Sequence, residues 1–208
     1  MRAYPGMAAE IADEKLLTLL KSGSEEAFVA LYRRHQGSVY RFAFGISGSE
    51  SLAEEVTQEA FTALIEGNHG FDPSRGRLGP YLLGMARHLV LRSLARDRAH
   101  VSVEEAVGEG QSLSPSSPED PQAVLARNES IRSLHKAILS LPQHYREAVV
   151  LCDLHEMSYD EASAVLECSV GTVRSRLHRG RTLLLQKLKG EKGVEGANKA
   201  IEPKRCPI

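Results

Sequence analysis

The most informative stretch of the chain covers residues 158–181 and reads SYDEASAVLECSVGTVRSRLHRGR. A turn-forming segment at 168–171 separates two short runs with helical spacing, which predicts a helix-turn-helix. The second run carries arginines at positions 174, 176, 179 and 181. The DNA major groove admits one α-helix, and arginine can donate two hydrogen bonds to a guanine edge. The stretch therefore predicts a helix that enters the major groove.

The composition predicts helices. Aromatic residues make up 5% of the 208 residues and tryptophan is absent, so the core must consist of Leu, Val, Ala and Ile, which favours helices over sheets. We predict an all-α fold of two small helical domains. The three cysteines are odd in number and scattered, which argues against a disulfide framework and for a reducing compartment.

The sequence also indicates a soluble, cytoplasmic protein. No apolar run approaches the roughly twenty residues that a membrane helix needs. The amino terminus lacks the charged, apolar and small-residue order of a signal peptide.

Charge is distributed unevenly along the chain. The net charge is −1, whereas a domain that holds nucleic acid by bulk charge usually has a pI above about 9. Residues 45–67 contain five glutamates and no Lys or Arg, and residues 71–100 contain six arginines against two aspartates. This pattern suggests basic faces for DNA and an acidic face for another partner.

The first predicted domain covers residues 11–99. Asp13 is a candidate helix cap, and Ser24 starts a second helix whose apolar residues continue or restart through residue 46. Ser51 begins an acidic helix, with apolar residues at helical spacing up to residue 64. A basic helix follows over residues 81–98, with its arginines directed outward.

A linker and a second domain follow. Residues 100–122 are acidic and rich in Ser and Pro, which predicts a flexible linker. Fully extended, about twenty residues reach roughly 65–70 Å, so the two domains could hold separate DNA sites. The second domain covers residues 123–189, and the spacing of Ile131, Leu134, Ile138 and Leu141 predicts that they form the apolar face of one amphipathic helix. Residues 190–208 form a polar tail.

Three motifs in the second domain carry a resemblance to a known family: LPxxYRE at 141–147, SYxEA at 158–162 and GTVRSRLxR at 171–179. They resemble the promoter-binding region 4 of bacterial sigma-70 factors. The resemblance implies that the helix-turn-helix binds the −35 promoter element. The implied −35 residues are Thr172, Arg174, Ser175, Arg176, His178, Arg179 and Arg181. Of these, Arg176 and Arg181 are expected to bind phosphates, which position a protein without reading sequence.

The first domain resembles region 2 of the same family. AEEVTQEAF at 53–61 is similar to the helix that binds core RNA polymerase, and FDPxxG at 71–76 with YLLxxAR at 81–87 is similar to the part that melts and reads the −10 element. The implied polymerase contacts are Glu54, Glu55, Gln58, Glu59 and Phe61. The implied −10 residues are Phe71, Arg75, Arg77, Tyr81, Met85, His88, Arg92 and Arg96.

Two such domains without a globular middle domain are typical of extracytoplasmic-function sigma factors. The resemblance implies a sigma factor that binds core RNA polymerase and promoter DNA, answers to an anti-sigma factor and is not itself an enzyme. Tyr81 stands where tryptophan is usual and His88 where asparagine is common, which leaves the −10 sequence preference open.

The sequence leaves other functions of the chain open. A self-contained regulator would dimerise and bind a palindrome without polymerase, and an adaptor would bind protein or RNA. Without the resemblance, the acidic helix is a solvated surface, and His88 and His178 are ordinary packed or exposed side chains. Cys152 and His155 fall short of a four-ligand zinc site. We expect Cys152 and Cys168 to be buried, small apolar residues, and Cys206 to be the thiol worth testing for reactivity.

Overall fold

A computed structural model describes residues 11–67, 70–100 and 121–191 of the protein. These residues form α-helices joined by short turns, and no strand occurs among them. The helices are α1 (Asp13–Lys21), α2 (Glu25–Ser47), α3 (Glu50–Ile65), α4 (Leu78–His100), α5 (Pro121–Leu139), α6 (Gln143–Val149), α7 (Tyr159–Leu166) and α8 (Val170–Glu191). A 3-10 turn, Pro73–Arg75, precedes α4, and a π turn, Val150–Leu154, follows α6. The predicted all-α fold is confirmed.

Local capping sets several helix boundaries. The Ser24 hydroxyl accepts a hydrogen bond from the Ala27 amide and begins α2, as the sequence predicts. Ser49, not Ser51, caps α3 by accepting from the Leu52 amide. The prediction for Asp13 was also wrong. Ala12 precedes α1 without a side-chain cap, and Asp13 instead forms an ion pair with Arg34.

The first four helices enclose one apolar core. α2 is a single helix of 23 residues that packs against α1, α3 and α4. Leu31, Phe42 and Leu82 are fully buried at the centre of this core. Complete burial of such a side chain stabilises a fold by about 1.5–3 kcal/mol relative to leaving it exposed. The core therefore holds α3 and α4 at fixed positions on α2.

α6, α7 and α8 pack against one another, with α8 close to α6, and their buried residues are continuous with the core of the first four helices. A Cβ atom added at Gly180 would lie 2.8 Å from a methyl group of Val149 and 3.3 Å from the Tyr145 carbonyl oxygen. Only a residue without a side chain permits this approach.

Of the four residues predicted to form the apolar face of one helix, Ile138 and Leu141 are buried. The prediction was wrong for Ile131 and Leu134, because 55% and 39% of their surfaces remain exposed. The buried residues of α5, Ala137 and Ile138, lie near its carboxy-terminal end.

The two helical units pack against each other, which the sequence did not predict. α4 contacts α7, and α2 contacts both α5 and the π turn. The Phe44 and His135 rings stack with their centroids 4.5 Å apart, and Arg146 donates a hydrogen bond to the Ile46 carbonyl. The predicted linker and tail fall mainly on residues 101–120 and 192–208, which lie outside the described residues.

Candidate nucleic-acid interface

α8, which carries the arginines, begins at Val170, two residues before the start predicted from the turn at 168–171. The Ser169 hydroxyl accepts a hydrogen bond from the Thr172 amide at 3.2 Å, which places Ser169 at the cap of α8. Serine is favoured there because its oxygen satisfies an amide that has no partner within the helix. The face of α8 that includes Val173 and Leu177 is buried. The opposite face is left open to solvent.

Four of the predicted −35 residues lie on that open face. Arg174, Ser175, His178 and Arg179 are all exposed. The Arg174 guanidinium lies 5.6 Å from the centre of the Tyr159 ring in α7. A cation over an aromatic face is attracted by the ring's quadrupole, so Tyr159 helps to hold Arg174 in position. The two helices of the helix-turn-helix therefore cooperate in presenting this arginine.

The other three predicted −35 residues make contacts within their own domain. Thr172 forms a hydroxyl hydrogen bond with Ser169 at 2.9 Å, and one Arg176 nitrogen lies 3.9 Å from the Cys168 sulfur. Arg181 is paired with Asp153 of the π turn, with 3.1 Å between Nε and Oδ2. These side chains border the open face and do not form its centre.

The predicted −10 residues line one wall of a cleft. The Phe71 and Tyr81 rings lie 5.1 Å apart, and with Met85, His88 and Arg77 they border a cavity of about 1070 Å³. Burial raises the pKa of Tyr81 above its ordinary value. This wall of the cleft thus combines aromatic and apolar side chains with basic groups.

The opposite wall of this cleft belongs to α7 of the second domain. It includes Asp160 and Glu161 of α7 and Glu167, which follows directly after this helix. Glu161 forms an ion pair with Arg77, and Glu167 lies 2.9 Å from Nε2 of His88. The structure therefore brings acidic groups of one domain onto the predicted −10 surface of the other.

The remaining predicted −10 residues lie outside the cleft lining. Arg92 pairs with Glu59 of α3 at 2.5 Å, and Arg96 is exposed on a later turn of α4. Arg75 belongs to the 3-10 turn that precedes α4. Its side chain lies outside the described part of the structure.

The predicted polymerase-binding helix is α3, and one of its predicted contacts needs correction. Glu54, Glu55, Gln58 and Glu59 are exposed along one face. Phe61 is only 2% exposed, because its ring packs against Phe28 and, with centroids 4.9 Å apart, against Tyr32. Phe61 therefore supports α3 from the core side and does not lie on its outer surface.

Both described cysteines are free thiols and are partly, not fully, buried. Burial raises the pKa of Cys152, which keeps it in the less reactive thiol form at neutral pH. Among the described residues, no group of three His, Cys, Asp or Glu side chains is arranged to hold a metal ion. Cys206 lies outside the described residues.

The sequence patterns did not indicate several residues that shape these surfaces. Ser169 caps α8, and Ser158 with Glu161 forms a reciprocal capping box at the start of α7. Both could have been found from a serine placed three residues before its partner. Tyr159 and Asp153 lie on other elements than the arginines that they contact. No spacing rule relates those pairs.

Within the described ranges, no helix is both long and apolar enough to span a membrane. Family models match two parts of the chain: "Sigma-70 region 2" matches residues 31–100, and "Sigma-70, region 4" matches residues 131–184. These are the two segments in which the sequence motifs occur. Together they cover more than half of the chain.

Curated relatives of the chain are likewise described as RNA polymerase sigma factors. The ECF RNA polymerase sigma factor SigE of Mycolicibacterium smegmatis is 36% identical over 74% of this chain and 58% of its own length. The chain thus spans little more than half of that relative. SigW of Bacillus subtilis, also an ECF sigma factor, is 27% identical over 86% of this chain and 98% of its own. The RNA polymerase sigma factor CarQ of Myxococcus xanthus is 30% identical over 85% of this chain and 97% of its own length.

Two solved structures are similar in fold. CnrH, in complex with the cytosolic domain of CnrY, matches with a TM-score of 0.64 and 26% identity over 87% of this chain and 99% of its own. The sigma factor RpoE of Bartonella quintana, in complex with the anti-sigma factor NepR, matches with a TM-score of 0.63 over 78% of this chain and 96% of its own, and its 22% identity supports the fold alone. From the two family matches and these relatives, we conclude that the chain belongs to the extracytoplasmic-function group of the sigma-70 family.

Proposed function

We propose that this sigma factor binds core RNA polymerase through α3 and then reads a −35 element with α8 and a −10 element with the cleft wall of α4. The exposed arginine face of α8 carries this proposal. Its Arg174, His178 and Arg179 project from a capped helix whose opposite face is held by the core. A rigid helix with free donors on one face has the form that the major groove accepts.

The −35 contacts divide into two kinds. Arg174, Ser175, His178 and Arg179 have the exposure needed to read base edges. Thr172 lies in the first turn of α8, where the helix dipole favours a phosphate. Arg176 and Arg181 contact phosphates, and Arg181 exchanges its pairing with Asp153 for that contact. Such contacts fix the register of the domain and carry no sequence information.

The −10 contacts need an opened DNA strand. Phe71, Tyr81 and Met85 offer aromatic and apolar surface on which an unstacked base can rest. His88 borders that surface and offers a ring nitrogen to a base edge. Nearby positive charge assists by attracting the strand backbone. The arginines proposed for this task are Arg75, Arg77, Arg92 and Arg96.

Polymerase binding is proposed for the exposed carboxylates and amide of α3, namely Glu54, Glu55, Gln58 and Glu59. An acidic helix face suits a basic surface on the partner. The chain supplies recognition and no catalysis, because phosphodiester chemistry belongs to the polymerase. It acts in the cytoplasm, where the polymerase is found.

We also propose an anti-sigma factor as a partner. This rests on family membership and on the two similar structures, which were solved as complexes with the cytosolic domain of CnrY and with the anti-sigma factor NepR. An anti-sigma factor would bind the surfaces that the polymerase or DNA requires. Co-purification of the chain with such a protein would test this part.

In vitro transcription tests the function directly. Purified core polymerase and the full chain are incubated with a promoter library, and transcripts are sequenced to find common −35 and −10 elements. We expect initiation at a distinct class of promoters that core polymerase alone does not use. Sequence-specific binding to a palindrome by the chain alone, with no effect on initiation, would instead support the self-contained regulator.

A further inference from the structure

Three of the arginines of α8 are held in different ways. Arg181 forms an ion pair with Asp153 in which two of its nitrogens take part. Arg174 makes no hydrogen bond or ion pair with another described residue, but its guanidinium lies over the Tyr159 ring. Arg179 is exposed and has no hydrogen bond, ion pair or ring contact with any described side chain. The three guanidinium groups are therefore differently prepared for binding DNA.

A ring contact fixes a guanidinium without using its hydrogen-bond donors. The ion pair of Arg181 engages Nε and Nη2 with the Asp153 carboxylate. The face of the Tyr159 ring instead attracts the cation of Arg174, and the N–H groups at the edge of that guanidinium keep their capacity to donate. Arginine reads a guanine with two parallel N–H donors directed at O6 and N7. Arg174 is thus held in place and still able to read a base.

Tyr159 is itself fixed at the start of α7. The Ser158 hydroxyl accepts a hydrogen bond from the Glu161 amide at 3.2 Å, and the Glu161 carboxylate accepts one from the Ser158 amide at 3.1 Å. This reciprocal cap orders the first turn of α7, which packs against α8. A tyrosine side chain has only two χ torsions, so it loses little freedom when it supports another group. The ring is therefore a firm support for a longer, flexible side chain.

An arginine that is held before it binds gains selectivity as well as affinity. A free arginine loses rotamer freedom when it settles on a base, and its flexible chain can turn to a phosphate or to a different base edge. An arginine that is already held loses less freedom on binding and offers one orientation. Arg174 should therefore distinguish bases more sharply than Arg179, although both are exposed on α8.

We infer that Tyr159 sets the sequence selectivity of the −35 contact without reading a base itself, because its ring holds Arg174 in the orientation in which the guanidinium reads a guanine. Tyr159 is a positioning residue and lies on α7, outside the helix that enters the groove. The inference rests on the proposed role of Arg174 in −35 reading. It adds that a residue outside α8 decides how strictly this arginine selects its base.

Transcription from a promoter library tests the selectivity. Core polymerase is reconstituted with the full-length chain or a variant, the −35 element of the library is randomised, and the transcripts are sequenced. Arg174→Ala identifies the position at which Arg174 acts, because the preference for one base is lost there. Tyr159→Leu should reduce the preference at that position by about two- to fivefold, the range expected for an exposed cation–π contact. Tyr159→Phe keeps the ring and should retain the preference.

Two comparisons within the chain separate positioning from general damage. Arg179→Ala identifies the position that depends on Arg179, and the preference there should be unchanged in Tyr159→Leu, because the ring contacts Arg174 and not Arg179. The double variant Tyr159→Leu with Arg174→Ala should show the same base preferences as Arg174→Ala alone. Two residues that act through one contact are not additive.

The free protein provides a readout that does not depend on DNA. The ring current of Tyr159 should shift the side-chain proton signals of Arg174 upfield in NMR spectra of the full chain. This shift should disappear in Tyr159→Leu and remain in Tyr159→Phe. Absence of the shift in the wild type would overturn the inference, because the ring would then not hold the arginine.

Two further outcomes would overturn the inference and leave the proposed function intact. Base preferences that are unchanged in Tyr159→Leu, whether or not overall activity falls, would show that Tyr159 does not act through Arg174. An equal loss in Tyr159→Phe and Tyr159→Leu would show that the hydroxyl, and not the ring, is responsible. If Arg174→Ala itself changes no base preference, the proposed base contact fails, and the inference fails with it.

Discussion

The two surfaces assigned to DNA differ in how they are made. The α8 face is formed by one helix, and its exposed residues Arg174, Ser175, His178 and Arg179 follow from which side of that helix is buried. The α4 surface is formed by a helix and the loop before it, and the other domain covers it. A surface made by one helix is available whenever that helix folds, whereas the second depends on how the domains are arranged.

The largest expected effect comes from the buried side of α8. Leu177 is 2% exposed, and Leu177→Ala should destabilise the second domain by about 2–5 kcal/mol, because it removes packed methyl groups and leaves a cavity. Denaturant unfolding of the full chain measures this loss. If stability were unchanged, α8 would not be held as described, and the contrast between its two faces would fail.

The exposed side of the same helix should behave in the opposite way. Arg174→Ala should leave stability nearly unchanged but weaken promoter binding by about 1–3 kcal/mol, with relaxed selectivity at one or two −35 positions. Transcription from promoter variants by the reconstituted holoenzyme measures this. Arg174→Lys keeps the charge and serves as a control. Equal losses on all promoters would identify Arg174 as a phosphate contact.

The acidic face of α3 extends the comparison to a third surface. Glu54→Lys with Glu55→Lys should weaken core polymerase binding by about tenfold or more, because it reverses two exposed charges on one face. The fold should be retained, since neither side chain is in the core. Glu14→Lys with Glu129→Lys is the matched control. Unchanged co-purification with core enzyme would exclude this face of α3.

The smallest expected effect is a pH dependence of domain packing. Burial, together with the nearby positive Arg41, lowers the pKa of His155 to about 4 from its ordinary 6.5. Where the two helical units pack together, its ring forms a 3.2 Å hydrogen bond with the Ser38 hydroxyl and packs edge-on against Phe42. Separation of the units would return the pKa of His155 towards 6.5. Its contribution to domain packing is therefore complete above pH 6.5 and is lost as pH falls from 6.5 towards 4.

His135 contributes with the same sign, because burial also lowers its pKa. The yield of crosslinks from p-benzoylphenylalanine placed at Met85 to the peptide that contains residues 159–167 should thus fall on acidification. In the variant His135→Gln with His155→Gln the yield should fall less over the same pH range. His88 is unchanged in both proteins, so the difference between them reports the two buried rings. Identical pH profiles would show that these histidines do not couple to domain packing.

The sequence predicted the helices more reliably than it predicted the contacts between them. The capping serine of α2 and the apolar spacing of α3 and α8 are local signals, and the structure follows them. Predictions failed where a side chain's partner lies far along the chain. Phe61 continues the acidic motif, yet its ring belongs to a cluster with Phe28 and Tyr32. Ile131 and Leu134 have helical spacing with the buried Ile138, yet 55% and 39% of their surfaces are exposed.

The difference between what the sequence predicted and what it did not has a physical cause. Helix period, capping and the spacing of the arginines act over a few residues, so the sequence alone determined an all-α protein with a basic face on its last helix. The contacts Arg87–Glu147 and His88–Glu167 join residues 60 and 79 positions apart. Such contacts form only after hydrophobic packing has set the positions of α4, α6 and α7. Tertiary structure alone decided that the predicted −10 surface is covered and that the predicted −35 surface is open.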